Sequence, residues 1–280
     1  MNRDGLDREE LRTSLGSLKG ALMHDEICYE DPFLKDVIAR IDFVVPLEGL
    51  EKTLPSKLAN VISEDFPISE PVDAISQELQ ISGEGVKHRQ SQFKQWNFYG
   101  REREKQLSIA AQFIFLTYKK YTAYEDMKRQ FEKVIDELNK TFPDTNIKRF
   151  GLRYINIIEI QELPTPLSWD NYISPGLLEN LKFFIDPNPL IRLIQIAELK
   201  YEDLIVRFQF GMPNPDYPAI MKRPQFVLDL DAYVQTAHGL RDSLLYIDQA
   251  HERIQVLFER SITDPLRRRM NVRERVPIQE

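Results

Sequence analysis

Alternating apolar and polar residues mark several strands along the chain, and the clearest of them spans residues 149–160. In its sequence, RFGLRYINIIEI, Phe150 and Leu152 fall on one side, whereas Arg149 and Arg153 fall on the other. A period of two residues is typical of a strand that packs one face on a core. The segment is therefore predicted to be a strand with its Phe150 side on the core and its arginines on the opposite side.

Apolar residues spaced three or four apart predict two long helices. The first lies in TAYEDMKRQFEKVIDELNKTF, where Met127, Phe131 and Leu138 share one side and Thr122 with Glu125 matches a capping box. The second lies in LRDSLLYIDQAHERIQVLFERSIT. Each long helix follows a series of predicted strands, so the elements occur in the same order in both halves of the chain.

This repeated order predicts an α+β protein of two pseudo-repeated halves that share a curved antiparallel sheet backed by helices. Each half would comprise a strand, a short helix, antiparallel strands and a long helix. The halves are placed at 31–146 and 147–262, between an amphipathic helical extension at 1–30 and a basic C-terminal tail at 263–280. The acidic, proline-containing region 62–84 is expected to be mainly loop.

Composition excludes several classes of protein. The net charge of −7, from 37 basic and 44 acidic residues, provides no chain-wide positive field for nucleic acid. The single cysteine, Cys28, excludes a disulfide framework within the chain and a cysteine-rich zinc site. No apolar run approaches the ~18 residues that span a bilayer, and the first residues are acidic where a signal peptide would be basic. A cytoplasmic protein without membrane association is expected.

Four segments carry a resemblance to a known family. DPFLKDVIARIDF is followed in order by GLRYIN, FVLDLD and AHERIQVLFERSITDPLRRRM. Together these segments resemble a sporadically distributed prokaryotic family of uncharacterised proteins, over residues 30 to 271 of the chain. The resemblance implies a shared fold and no settled activity, and it transfers no catalytic residue to this chain.

Catalytic chemistry has little support in the residue patterns. No phosphate-binding glycine motif is present, and neither a cofactor nor a metal is expected. Asp229 and Asp231 lie on one side of a predicted strand, about 7 Å apart, which would suit a metal-dependent hydrolase. The alternatives are a solvated strand face, or ion pairs with Arg149 and Arg153. His251 lies on the apolar side of the last helix and is expected to be a hydrogen-bonded core residue. An enzyme is therefore less expected than a binding protein.

Basic residues interleave with aromatic residues between 85 and 105, as in strands that bind single-stranded nucleic acid. Charges would contact phosphates and rings would stack on bases, and the candidate residues are Lys87, Arg89, Phe93, Lys94, Arg101 and Arg103. An edge hairpin kept soluble by its charges would show the same pattern. Nucleic-acid binding is therefore an alternative function.

Binding of a partner protein is the first functional prediction. In the predicted fold the arginines of 149–160 line the open, concave side of the sheet, and Tyr, Trp and Arg are the usual hot spots of protein interfaces. The expected contact residues are Trp96, Tyr99, Arg149 and Arg153. The resemblance suggests a prokaryotic defence or toxin–antitoxin setting, in which a neighbouring gene would encode the partner.

Overall fold

The computed structural model describes residues 27–82 and 85–272, and one antiparallel sheet of ten strands runs through this part of the chain. The strands are β1 (Leu34–Phe43), β2 (Ile68–Ser82), β3 (Gly85–Tyr99), β4 (Lys105–Ala110), β5 (Phe113–Tyr118), β6 (Asn146–Glu159), β7 (Leu193–Tyr201), β8 (Leu204–Met212), β9 (Gln225–Val234) and β10 (His238–Gly239). The α-helices are α1 (Ser56–Asp65), α2 (Tyr124–Thr141), α3 (Pro175–Leu178), α4 (Ser243–Ser261) and α5 (Asp264–Arg269).

Strands β1 and β6 lie side by side at the centre of the sheet. The order is β2-β3-β4-β5-β1-β6-β9-β8-β7, and the short β10 pairs with β6. The strands that follow β1 return so that β5 pairs with it, and those that follow β6 return so that β9 pairs with it. The α+β fold class with an antiparallel sheet is therefore confirmed. That the two halves repeat one ancestral unit stays a prediction.

Both long helices pack on the same face of the sheet, which we call the helix face. Phe131 of α2 meets Phe150 of β6 with ring centroids 6.3 Å apart, and α4 contacts β6, β8 and β9. The side chains that β1, β6 and β9 direct to this face are buried, among them Val37, Ile41, Leu152, Leu228 and Leu230. As predicted, the Phe150 side of β6 is its core side.

The region 62–84, predicted to be mainly loop, was assigned wrongly. Helix α1 continues to Asp65, and β2 begins at Ile68 and pairs with β3 along its whole length. Since β2 pairs with β3 alone among the described strands and lies at the edge of the sheet, acidic residues and Pro71 are compatible with its ladder. The acidic composition therefore reflects a strand at the edge of the sheet.

Helix α2 spans nearly the predicted range but begins differently. Its N-cap residue is Ala123, one position after the predicted cap Thr122, and the Ala123 side chain makes no cap hydrogen bond. Glu125 and Asp126 lie instead in the first turn. Negative charge is favourable there because the amino end of a helix carries a partial positive charge.

The segments outside the two predicted halves also differ from expectation. In the tail at 263–280, predicted as a basic terminus, α5 buries Leu266 fully, and Met270 just beyond the helix is buried as well. Residues 263–272 therefore belong to the packed body. The helical extension predicted at 1–30 falls, up to residue 26, outside the described residues.

Candidate partner-binding face

The side of the sheet opposite the helix face, which we call the open face, carries charged, amide and aromatic side chains. Strand register brings them together near the centre of the sheet, where the open-face residues are Ile38, Arg40 and Asp42 of β1, Arg149, Gly151 and Arg153 of β6, Asp229, Asp231 and Tyr233 of β9, and Arg207 and Gln209 of β8. An antiparallel sheet commonly packs one face on the core and leaves the other to solvent or to a partner. The chemistry of the open face therefore decides what it can bind.

Arg153 of β6 forms a two-point ion pair with Asp229 of β9. Its Nε and Nη2 donate to the two carboxylate oxygens over 2.7 and 2.6 Å. Asp229 is only 4% exposed, and its charge is tolerated because the guanidinium neutralises it and satisfies both oxygens. In turn, the hydrogen bond to Asp229 raises the pKa of Arg153.

Gly151 provides the space in which Arg149 lies. A Cβ at Gly151 would lie 2.9 Å from Nη1 of Arg149, which is closer than a Cβ normally comes to another heavy atom. The Arg149 guanidinium instead lies 3.5 Å from a carboxylate oxygen of Asp231 and 5.3 Å from the centroid of the Tyr233 ring. Burial raises the pKa of Asp231, although the positive charges of Arg149 and Arg153 oppose the shift. The absence of a side chain at Gly151 thus leaves room for the Arg149 guanidinium.

Aromatic rings continue the open face from β1 towards β3. Nη2 of Arg40 lies 2.8 Å from Oδ1 of Asp42, and its guanidinium lies 5.0 Å from the centroid of the Phe113 ring. Phe113 in turn meets Phe93 edge to face, with centroids 6.1 Å apart. A guanidinium over a ring face is attracted by the quadrupole of the ring. Arg40 is thereby held in one place while 42% of its side chain stays exposed.

A network of amide and hydroxyl groups lies on the open face between β3 and β4. The hydroxyl of Ser108 donates to Oδ1 of Asn97 over 2.6 Å, and Nε2 of Gln95 donates to the same oxygen over 2.7 Å. Gln106 donates to Ser108 over 2.8 Å. This network was not predicted from the sequence. Its signal in the sequence is the polar residue at every second position, Gln95 and Asn97 in β3 and Gln106 and Ser108 in β4.

Three of the four residues predicted to contact a partner lie on the open face. Arg149 and Arg153 lie on it at the centre of the sheet, and Tyr99 lies on it at the end of β3, with the Arg103 guanidinium 4.7 Å from its ring centroid. Trp96 was placed wrongly with them: it lies on the helix face, where its Nε1 donates to the Leu50 carbonyl over 2.9 Å. Trp96 and Tyr99 are three positions apart along the strand, and residues an odd number of positions apart point to opposite faces.

The residues proposed for nucleic-acid binding are not gathered into one basic surface. Phe93 lies on the open face, whereas Lys94 lies on the other, 3.3 Å from Asp73 and 5.8 Å from the Trp96 ring centroid. Arg103 donates to both carboxylate oxygens of Glu70. Lys94 and Arg103 are therefore both engaged in ion pairs with acidic residues of β2.

The remaining nucleic-acid candidates add no second cluster. Arg101 is exposed in the turn between β3 and β4. Lys87 and Arg89 belong to β3, but their side chains lie outside the described set. What the structure describes of this segment is a charged edge hairpin, which is the alternative reading of the pattern.

The two aspartates of β9 are engaged by arginines rather than set out as metal ligands. Arg153 occupies both oxygens of Asp229, and Arg149 lies beside Asp231. Across residues 27–82 and 85–272, no three His, Cys, Asp or Glu side chains are grouped so that they could hold a metal ion. Hydrolysis by a metal held at Asp229 and Asp231 therefore has no support in the geometry.

A second polar cluster lies on the helix face, around His251 of α4. Nδ1 of His251 lies 3.0 Å from the hydroxyl of Tyr154, whose oxygen lies 2.8 Å from that of Tyr121. The imidazole stacks on the Tyr124 ring with centroids 3.7 Å apart. Burial lowers the pKa of His251 to about 4, so the ring is neutral near pH 7. The prediction that His251 is a hydrogen-bonded residue of the inner helix side is confirmed.

Comparisons with known proteins leave the open face as the main evidence on function. No protein-family model matches the chain and no curated protein matches it. The family resemblance drawn from the GLRYIN and FVLDLD segments therefore stays a prediction. In the described part of the chain, no helix is both long enough and apolar enough to cross a bilayer.

Proposed function

We propose that this chain is a non-enzymatic binding protein that holds a partner protein on its open face. The observation that carries the proposal is the group of Arg40, Arg149 and Arg153 on the two adjacent central strands. Each of them is paired with a carboxylate, and Arg40 and Arg149 also lie over an aromatic ring. Ordered arginines lose little freedom on binding, so a larger share of the contact energy appears as affinity.

The arginines keep hydrogen-bonding capacity for a partner. A guanidinium has five N–H donors, and Arg153 uses two of them on Asp229, while 40% of its side chain stays exposed. Rings beside the charges, such as Phe113 and Tyr233, add apolar area. Interface hot spots are enriched in arginine and tyrosine and cluster near the centre of the interface, as these residues do on the open face.

Substitution of Arg40 tests the proposal. The partner is isolated on the immobilised chain from the source cells, identified, produced pure and titrated against each variant. Arg40→Ala is expected to weaken binding at least tenfold, which corresponds to about 1.4 kcal/mol, because it removes an exposed open-face guanidinium.

Arg241→Ala is the matched control for that titration. Arg241 is also an exposed arginine in an ion pair, 3.2 Å from Asp136 of α2, but it lies on the helix side of the molecule. Its replacement is expected to leave the affinity unchanged. Equal binding by wild type and Arg40→Ala, or weaker binding by Arg241→Ala, would contradict the proposal.

Single-stranded nucleic acid is the competing ligand, and it has weaker support because Lys94 and Arg103 are paired with acidic residues. A labelled oligonucleotide titrated at rising salt separates the two ligands. Phosphate contacts would give a steep linear fall of log affinity with log salt. The prokaryotic defence or toxin–antitoxin setting proposed for the partner rests on the family resemblance alone.

A further inference from the structure

The two edges of the sheet differ in how they are protected. The described part of β2, at one edge, carries Glu70, Pro71 and Asp73, which are the residue types that discourage pairing with another strand. Among the described residues, strand β7 at the other edge has only β8 beside it. It contains no proline, and it exposes Ile194 and Ile196 beside the charged residues Glu198 and Lys200. A nine-residue edge strand with exposed isoleucines is a ready template for another extended chain.

The backbone groups that β7 directs away from β8 follow from its hairpin. The turn consists of Glu202 and Asp203, and Tyr201 faces Leu204 across it. Residues that flank a two-residue turn exchange backbone hydrogen bonds, and every second residue along the strand does the same. The N–H and C=O groups of the intervening residues therefore point outward, and these residues are Ile194, Ile196, Glu198 and Lys200.

Exposed apolar side chains also lie on the other side of this edge. Asn180, in the 3-10 turn at Glu179–Phe183, donates to Oε1 of Gln195 and ties that turn to β7. Beside it, Phe183 is 85% exposed and Ile185 is fully exposed. The edge thus presents apolar area on both faces together with ladder groups that no strand of residues 27–82 and 85–272 pairs, a combination that suits the addition of another polypeptide strand.

We propose that β7 pairs antiparallel with β7 of a second copy of this chain, about a two-fold axis at Ala197. With this axis the nine residues of β7 overlap completely, and Ile194 and Ile196 lie opposite Lys200 and Glu198 of the second copy. The aliphatic stems of the charged residues cover the isoleucines. The two Ile196 side chains become diagonal neighbours across the axis.

Charge complementarity selects this register. With the axis at Ala197, Arg192 just before the strand comes to the same end of the pairing as Glu202 in the turn of the second copy, so opposite charges are near each other at both ends. Moving the axis by one residue to Glu198 would set the two Glu198 carboxylates against each other, which is unfavourable. Because the open faces of both copies stay on the same side, the dimer contains one continuous sheet.

Association is tested by sedimentation and light scattering of the full chain. We expect a dimer at roughly 100 µM, with a dissociation constant in the micromolar range. Ile196→Glu is expected to raise that constant at least tenfold, because each new carboxylate would lie opposite Glu198 of the other copy, and like charges directly across two strands are unfavourable.

Ile75→Glu on β2 is the matched control, since Ile75 is 54% exposed and Ile196 is 55% exposed on opposite edges of one sheet. It is expected to leave association unchanged. A wild-type monomer at the highest concentration, or equal association by Ile196→Glu and wild type, would overturn the proposal. So would a loss of association caused by Ile75→Glu.

Disulfide formation tests the register. In a Cys28→Ser background, Ala197→Cys would place two thiols across the two-fold axis in a non-hydrogen-bonded pair, where Cα atoms are about 4.5 Å apart. Mild oxidation is expected to give a covalent dimer from this variant and a monomer from Ser69→Cys on β2. Equal yields from the two variants, or no cross-link from Ala197→Cys, would overturn the two-fold pairing at Ala197.

Discussion

At the scale of single residues, the open face shows why polar groups occupy a central strand. Arg153 is matched by the buried Asp229, and Arg149 lies across Gly151 towards Asp231. The alternation of side chains predicted that the arginines lie opposite the core. It left open which aspartate each arginine meets, because the partners are brought together only by the pairing of β6 with β9.

His251 gives a prediction on pH dependence. Its pKa in the folded protein is about 4, against an ordinary value of 6.5, so the unfolded chain takes up the proton first as pH falls. The stability that this group contributes is fully present above pH 6.5 and is lost as pH falls towards 4. We expect the free energy of unfolding to fall by about 2 kcal/mol more between pH 7 and pH 5 in wild type than in His251→Gln.

Denaturant unfolding of both proteins at the two pH values measures that difference. Comparing the two differences cancels the titration of all other groups, and it also cancels the loss of packing in His251→Gln. Equal pH dependence of wild type and His251→Gln would contradict the assignment of a buried, neutral imidazole.

At the scale of elements, periodicity predicted the long helices and most strands but failed where composition and position conflict. The region 62–84 reads as loop because it is acidic and contains proline, yet an edge strand tolerates both. Trp96 reads as an interface aromatic, yet strand parity places it on the helix face. Which strand becomes an edge depends on contacts distant in sequence, and local pattern does not contain them.

Helix α5 gives a prediction at the scale of elements. Leu266 is fully buried, so Leu266→Ala is expected to lower the free energy of unfolding by about 2–5 kcal/mol through lost apolar contact and a residual cavity. The exposed Arg268→Ala in the same helix is expected to stay within about 0.5 kcal/mol of wild type. Chemical denaturation measures both variants, and equal stability of Leu266→Ala and wild type would show that residues 264–269 do not pack on the body.

At the scale of the whole molecule, the strand order explains how two faces of one sheet have different chemistry. The β1–β6 pair lies at the centre, and strands return to it from both sides. Long helices cover one face, and the other keeps its charges and rings. The sequence predicted this division from the two sides of one strand, whereas the amide network of Asn97 and Ser108 needed the register of β3 with β4.

Site-specific photo-cross-linking to the purified partner tests binding at the open face most directly. A benzophenone side chain placed at Phe113, on the open face, is expected to cross-link to the partner in high yield. The same group at Leu245, which is 60% exposed on α4, is expected to give no cross-link. Cross-linking from Leu245 without cross-linking from Phe113 would contradict the proposal that the partner binds the open face.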